Sequence, residues 1–139
     1  MAAGSPDLFV DTGAWFAINV PGDKHHQAAA DFYKSALKKG KGLVTTNLIV
    51  AEAHAGLIKA RGRQAGLKFL SLVDSSSRLR VVYSTRLLEE RAFSILVKFQ
   101  DREFSLCDAV SFAVMKEMGI KTAFAFDRRF ETAGFRRLP

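Results

Sequence analysis

Four short apolar runs, separated by longer segments of helical pattern, constrain the fold of this 139-residue chain more than any other feature. The runs are "LFV", "GLVTT", "RLRVVYS" and "KTAFAF". The segments between them carry apolar residues at helical spacing and end at glycine, proline or capping residues. Strands that alternate with helices are typical of a mostly parallel sheet covered by helices on both faces. We therefore predict an α/β fold, with "GFRRLP" as a further strand at the edge of the sheet.

The helix boundaries follow from capping and breaking residues. The expected helices cover residues 14–19, 24–38, 48–59 and 64–74, a segment that begins at Ser84 or Thr85, and the run "FSLCDAVSFAVMKEMG". Asp23 and Asn47 are the expected N-caps of the second and third helices, and Gly119 is expected to close the last. No repeat, low-complexity segment or linker divides the sequence, so we expect one domain over residues 1–139.

Composition narrows the class of protein. Hydrophobic residues make up 48% of the chain and charged residues 25%, which is an ordinary globular balance. Cys107 is the only cysteine, which excludes an internal disulfide and metal sites built from several thiolates, and indicates a reducing cytoplasm. Polar residues interrupt every apolar run well before the ~20 residues of a membrane span. The N-terminal "MAAGSPD" has neither the basic nor the apolar stretch of a signal peptide.

The chain is basic, with a formal net charge of +7 and clusters such as "KKGKG" and "KARGR". A basic surface attracts polyanions, and nucleic acid is the commonest polyanion in a cell. Many small basic proteins bind no nucleic acid, so charge alone favours that partner only weakly.

Two acids come directly after predicted strands. Asp11 follows "LFV", and Asp127 follows "TAFAF", which is the apolar run at residues 122–126. Ligands of open α/β sheets bind outside the carboxyl ends of the strands, so both acids belong at one edge of a parallel sheet. Taken singly, each has the ordinary alternative of a helix cap or a turn aspartate.

Glu52 interrupts the apolar segment "NLIVAEAHAGLI" and is predicted to be a buried carboxylate, which needs a partner. A capping box does not explain it, because the third helical residue after an Asn47 cap is Val50. A salt bridge to Lys59 is the alternative to a role in a site.

Asp108 has the strongest structural alternative. "SLCD" matches the S-x-x-D pattern, in which Ser105 caps a helix and Asp108 reaches back to the backbone of Ser105. From the residues alone, a capping role and a site role for Asp108 are equally favoured.

The four acids together favour a metal site. Four carboxylates brought together cannot all stay ionised without a counter-cation, and oxygen ligands select Mg²⁺ or Mn²⁺. In a basic protein such a site suggests phosphodiester chemistry. Arg128 and Arg129, directly after Asp127, either hold substrate phosphates or form a solvated turn.

Four segments, "LFVDTGAWFA", "TTNLIVAEA", "FSLCDAVSFAVM" and "AFAFDRRF", resemble the PIN-domain ribonucleases, especially the VapC-type toxins, in order and spacing. The resemblance covers nearly the whole chain. It implies a three-layer α/β/α sandwich around a central, mostly parallel sheet of four to five strands.

The same resemblance implies a function. Asp11, Glu52, Asp108 and Asp127 match the acidic quartet that binds Mg²⁺ or Mn²⁺ and hydrolyses RNA, leaving a 5′-phosphate and a 3′-hydroxyl. Thr12, beside the first acid, and Ser105, ahead of the third, match polar positions that often support the metal site or the substrate in this family. Transfer or ribosomal RNA is the implied substrate, a VapB-type antitoxin the implied partner, and a homodimer the implied assembly. The family often has Thr or Ser two residues before the fourth acid, where this chain has an alanine at position 125.

Two other functions compete with this hypothesis. A non-catalytic, basic RNA-binding module has no use for Glu52, so Glu52→Gln would leave its RNA affinity unchanged or improved. The "FVDTGA" segment also resembles the signature of aspartic proteases, but those enzymes are all-β and pair two such aspartates. A phosphoaspartyl phosphatase is disfavoured because Gly13 replaces the second acid of its D-x-D signature.

Overall fold

A parallel five-stranded sheet forms the centre of the protein, with the strand order β3-β2-β1-β4-β5. The computed structural model describes residues 6–139. Its strands are β1 (Leu8–Val10), β2 (Leu43–Thr46), β3 (Leu79–Val82), β4 (Thr122–Phe124) and β5 (Arg136–Leu138). The predicted α/β class, the parallel sheet and the fifth strand are confirmed. Residues 1–5, which belong to the segment where no signal peptide was expected, lie outside the described residues.

In the described part of the chain, seven helices connect and cover these strands. They are α1 (Thr12–Asn19), α2 (His26–Lys38), α3 (Asn47–Arg61), α4 (Arg63–Ser75), α5 (Arg86–Lys98), α6 (Leu106–Met118) and α7 (Arg129–Thr132). From β1 the chain adds β2 and then β3 toward one edge of the sheet. It then returns to add β4 on the other side of β1, and β5 at the opposite edge. Because parallel crossovers are right-handed, this reversal places α1–α4 on one face and α5–α7 on the other, as in a three-layer sandwich. Within residues 6–139, no helix is long and apolar enough to cross a membrane.

The reversal of direction falls between β1 and β4, which are neighbours in the sheet. Chains leave the carboxyl ends of these two strands toward opposite faces, and a crevice opens between them. Asp11 directly follows β1, whereas Ala125 and Phe126 separate Asp127 from the end of β4. The topology therefore brings both acids to one place.

Two predicted caps differ from the structure. Thr46, not Asn47, caps α3, because its hydroxyl accepts a hydrogen bond from the Ile49 backbone N–H at 3.1 Å. The Asn47 carboxamide instead accepts a bond from Ser84 N–H at 2.7 Å, which ties α3 to the end of β3. Helix α2 begins at His26 rather than residue 24, because the Asp23 carboxylate accepts from His25 N–H in the preceding turn.

The C-terminal part also differs in its boundaries. The apolar run at residues 122–126 was predicted to be a strand throughout, but β4 ends at Phe124. The short helix α7 was not predicted. Thr85 caps α5, and Gly119 closes α6 in the left-handed conformation at φ 69°, as expected.

A buried polar chain fixes α1 against the sheet. Trp15 on α1 is fully buried and packs edge-on against Phe69, with ring centroids 5.6 Å apart. Its indole N–H donates to Thr45 Oγ1 at 3.3 Å, and the Thr45 hydroxyl donates to the Val10 carbonyl at 2.9 Å. Since Thr45 and Val10 lie at the carboxyl ends of β2 and β1, this chain fixes α1 beside the crevice.

We expect Thr45→Val to lower the free energy of unfolding by about 1–3 kcal/mol, because the indole N–H of Trp15 stays buried without a partner. Trp15→Phe removes that donor, so adding Thr45→Val to Trp15→Phe should cost less than adding it to the wild type. Denaturant unfolding of both single variants and the double variant measures this difference. Equal costs in the two backgrounds would show that the hydrogen bond contributes nothing.

Candidate functional site

A cavity of about 380 Å³ lies at the crevice between β1 and β4. Its walls are Asp11, Thr12, Gly13, Glu52, Asp108, Phe126, Asp127 and Arg129. The structure thus brings all four acids singled out in the sequence to one cavity, although they lie on four separate segments of the chain.

Asp11 occupies the junction between β1 and α1. Its backbone N–H donates to the Phe124 carbonyl on β4 at 3.1 Å, and its own carbonyl accepts from Trp15 N–H at 3.2 Å. Its carboxyl is only 8% exposed. Burial raises the pKa of Asp11 to about 6; a hydrogen bond from the Thr12 backbone opposes this rise, and the charge of Asp108 adds to it.

Asp108 closes a helix cap and also lines the cavity, so it occupies both places that the sequence left open. The Ser105 hydroxyl accepts from Asp108 N–H at 3.1 Å, and Asp108 Oδ2 accepts from Ser105 N–H at 2.9 Å, which completes a capping box at the start of α6. The same carboxylate lines the cavity and is 7% exposed. Ser105 itself fixes Asp108 from behind and is not part of the cavity wall.

Glu52 lies on the exposed face of α3, not on the buried face that the sequence predicted. It was expected to be buried among apolar residues, but it is exposed, because Ile49, Ala53 and Leu57 form the buried face of the helix. The expectation of a buried carboxylate is therefore wrong. Among the ion pairs of residues 6–139 there is none between Glu52 and Lys59, and Glu52 faces the cavity instead.

Arg129 connects two of the acids. Its guanidinium donates to Asp108 Oδ2 at 2.9 Å and to Asp127 Oδ2 at 2.7 Å, and its backbone N–H donates to Asp127 Oδ1 at 2.8 Å. Burial alone would raise the pKa of Asp127, but the hydrogen bonds and charge of Arg129 outweigh it and lower that pKa. Arg128 is exposed and lies outside the cavity wall. The two arginines, treated alike in the sequence, therefore have different environments.

Two neighbours of the acids were not anticipated. Burial, followed by the charges of Glu52, Asp11 and Asp108, raises the pKa of the Cys107 thiol to about 12, so the thiol stays protonated at neutral pH. Phe126 lines the cavity and stacks on His25 with ring centroids 4.3 Å apart. Neither residue has a sequence signal of its own, because both lie in apolar runs.

The donor chemistry of the cavity fits a hard divalent cation. The four side chains in its wall that can bind a metal ion through a charged group are all carboxylates. The Thr12 hydroxyl adds a buried oxygen that has no hydrogen-bond partner among the described residues. Within residues 6–139, no three His, Cys, Asp or Glu side chains are grouped as a ready-made metal site. The Oδ2 atoms of Asp108 and Asp127 instead contact the guanidinium of Arg129.

Comparison with known proteins identifies the family. The model of the PIN domain matches residues 8–136. The chain belongs to the PIN-domain family. The resemblance seen in the four sequence motifs is thereby confirmed, and so is the fold that it implied.

Individual relatives of this PIN domain support the assignment. The chain is 38% identical over 128 residues to the 23S rRNA-specific endonuclease VapC20 of Mycobacterium tuberculosis, covering 92% of this chain and 95% of that protein. The crystal structure of VapC20, a Sarcin-Ricin loop cleaving toxin, superimposes with a TM-score of 0.84 at 36% identity, over 93% of this chain and 96% of that one. VapBC2 from Rickettsia felis, crystallised with a DNA fragment from its promoter, shares the fold at 12% identity, with a TM-score of 0.67 over 94% and 96% of the two chains.

We expect Asp11→Asn to increase the stability of the metal-free PIN domain by about 3 kcal/mol at pH 7.5, with the gain vanishing as the pH falls toward 4. The native carboxyl keeps its proton up to a pH of about 6, whereas the unfolded one loses it near 3.8. As the pH rises from about 4 through about 6, the stability of the wild type therefore falls relative to that of Asp11→Asn, which has no carboxyl group to ionise. The groups that face this carboxyl are Asp108, Glu52 and Arg129.

Denaturant unfolding in EDTA at several pH values measures the effect. Asp74→Asn, which replaces an exposed acid on α4 outside the cavity, is the matched control and should show no such pH dependence. A gain for Asp11→Asn that did not change with pH would contradict the burial of an ionised carboxylate at this position.

Proposed function

We propose that this chain is a metal-dependent endoribonuclease and the toxin of a VapBC-type toxin–antitoxin pair. The observation that carries the proposal is the convergence of Asp11, Glu52, Asp108 and Asp127 on one cavity at the switch point of the sheet. The net charge of +7 makes the protein as a whole attractive to polyanions. The likeness to an endonuclease that acts on 23S rRNA supports RNA as the polyanion.

The four carboxylates would hold one or more divalent cations, for which we propose Mg²⁺ or Mn²⁺. The chemistry that such a cation supplies is activation of water and stabilisation of charge on the phosphate. Asp11 and Asp108, both buried and fixed by backbone hydrogen bonds, provide the rigid part of the ligand set. Glu52 and Asp127 are more exposed and provide the adjustable part. The unpaired Thr12 hydroxyl is placed to orient water or a carboxylate beside Asp11.

Ribosomal RNA is the substrate that we propose, with the sarcin–ricin loop of 23S rRNA as the target. The support is the similarity of this chain, over 93% of its length, to a toxin that cleaves that loop. Transfer RNA is the second candidate among the RNA classes that the family resemblance implied.

We expect purified protein to cut a sarcin–ricin hairpin and intact 23S rRNA in Mg²⁺ or Mn²⁺, and not in EDTA. Asp11→Asn and Glu52→Gln should each lower the rate by at least about 100-fold, because each removes a charged metal ligand. Mapping of the cut ends by primer extension, and of their 5′-phosphates by ligation, identifies site and chemistry. Asp74→Asn, which changes an exposed acid on α4 outside the cavity, is the matched control.

Each contrary outcome has a distinct meaning. Cutting by Glu52→Gln at the wild-type rate would remove Glu52 from the site. Cutting of transfer RNA but not of the hairpin would change the target and leave the reaction unchanged. RNA binding without cutting, equally strong in Glu52→Gln, would favour the non-catalytic RNA-binding module. The aspartic protease alternative is already wrong, because the fold is α/β rather than all-β.

A cognate VapB-type antitoxin is the proposed protein partner. Its support is the likeness of the fold to that of VapBC2 and of FitAcB from Neisseria gonorrhoeae. Co-expression of this chain with the product of a neighbouring gene, followed by co-purification and a cleavage assay, tests the partnership. Loss of cutting in the complex, and its return when the partner is removed by proteolysis, is the expected result.

We further propose that the chain forms a homodimer. Helix α5 carries Phe93 and Val97 on one face, with exposed fractions of 66% and 51%, and an apolar pair of this kind favours burial against another surface. We expect Phe93→Asp to shift the mass in light scattering from dimer to monomer. Tyr83→Asp, which changes an exposed aromatic residue outside the helix, should leave the dimer intact. A monomeric wild type at all concentrations would contradict the proposal.

A further inference from the structure

The Arg129 side chain is bound to two of the proposed metal ligands at once. Its two terminal nitrogens donate separately to Asp108 Oδ2 and Asp127 Oδ2, at 2.9 and 2.7 Å. Charge-assisted hydrogen bonds of this length are among the strongest in proteins. The Arg129 side chain as a whole is 42% exposed, so solvent reaches part of it.

Both acids are held in place without this fork. Asp127 Oδ1 accepts from the Arg129 backbone N–H at 2.8 Å, a bond that survives replacement of the side chain. Asp108 is fixed by the capping box with Ser105. The guanidinium is therefore not needed to orient these carboxylates, and what it adds is positive charge.

That charge is needed in the absence of a divalent cation. Four carboxylates line the cavity against one guanidinium. Burial and the charge of Asp108 already raise the pKa of Asp11, and Arg129 lowers it, so the arginine partly relieves the mutual repulsion of the acids. A divalent cation that approaches Oδ2 of Asp108 or Asp127 meets the like charge of the guanidinium and competes with it for the lone pairs of these oxygens.

We propose that Arg129 is a built-in competitor of the metal ion: it neutralises Asp108 and Asp127 until a divalent cation takes these carboxylates, and the fork must open for that cation to bind. The inference rests on the proposed metal-dependent function. A second cavity, of about 370 Å³ and lined by Arg102, Phe104 and Thr132, adjoins the first, and Asp127 and Arg129 belong to the walls of both. It gives the released guanidinium a place to move, where the carboxylate of Glu103 offsets the like charge of Arg102.

The test is isothermal titration of Mn²⁺, and separately of Mg²⁺, into the metal-free full-length protein. Arg129→Met is expected to bind Mn²⁺ about 10-fold more tightly than the wild type, because the competing cation is gone. Arg128→Met is the matched control: it removes the same charge one residue away, from an exposed side chain outside the cavity wall. Its gain should be much smaller, since exposed charges act weakly through solvent.

Thermal unfolding gives a second reading of the same competition. In EDTA, Arg129→Met should unfold at a lower temperature than the wild type, because the carboxylates lose their counter-charge. Saturating Mn²⁺ should raise its unfolding temperature by more than it raises that of the wild type. Should Arg129→Met fail to fold in EDTA, Arg129→Lys keeps the charge and loses the fork, and a smaller gain in Mn²⁺ affinity is expected.

The proposal is overturned if Arg129→Met binds Mn²⁺ no more tightly than the wild type, or if Arg128→Met gains as much. The first outcome would make the fork a positioning contact that helps metal binding, and the second would reduce it to long-range charge. These results stand apart from the cleavage assay. If the variants show the expected Mn²⁺ affinities but the protein cuts no RNA, the proposed function alone is contradicted. If cutting depends on metal but Arg129→Met gains no affinity, only the proposed competition between Arg129 and the metal ion is contradicted.

Discussion

Repulsion among four carboxylates is the physical constraint on which the site depends. The acids lie on separate segments, and the reversal of the sheet between β1 and β4 gathers them at one cavity. Such a cluster is unstable unless positive charge accompanies it. Within the described residues that charge comes from Arg129, whose fork holds Asp108 and Asp127. Burial raises the pKa of Asp11, and repulsion from Asp108 and Glu52 adds to that rise. In the proposed competition, a divalent cation replaces the arginine, since it offers more charge to the same oxygens.

Structural and chemical roles are shared by the same residues. Asp108 closes the capping box of α6 and lines the cavity, and Asp11 joins β1 to α1 while its carboxyl is buried in the site. The backbone bonds that fix these acids belong to the helix starts, so the rigidity of the site comes from the fold itself. The cost is electrostatic, because an uncompensated carboxylate at position 11 destabilises the native state above the pH at which it ionises.

The comparison of sequence with structure is most instructive at Glu52 and Arg129. Glu52 was predicted to lie with the other acids, and it does line the same cavity. The reason given was wrong: the apolar residues around it suggested burial, whereas Ile49 and Ala53 form the buried face of α3 and Glu52 is exposed. The predicted cap at Asn47 was wrong because Thr46 accepts from the Ile49 N–H, while the Asn47 carboxamide accepts from Ser84 N–H, a partner far away in the sequence. Arg129 and Arg128 are adjacent and identical in type, so only their side-chain directions distinguish a partner of the acids from an exposed cation.

The sequence by itself determined the alternation of strands and helices, the parallel sheet, and the four acids at its carboxyl edge, because these depend on local periodicity and on the position of each acid after its strand or within its helix. The tertiary structure decided which oxygens face each other, that Asp108 both caps α6 and lines the cavity, and that Arg129 forms ion pairs with two of the acids. Those outcomes depend on distances of a few ångströms between segments far apart in the chain. Local patterns carry no information about such distances, whereas packing of the helices on the sheet sets them.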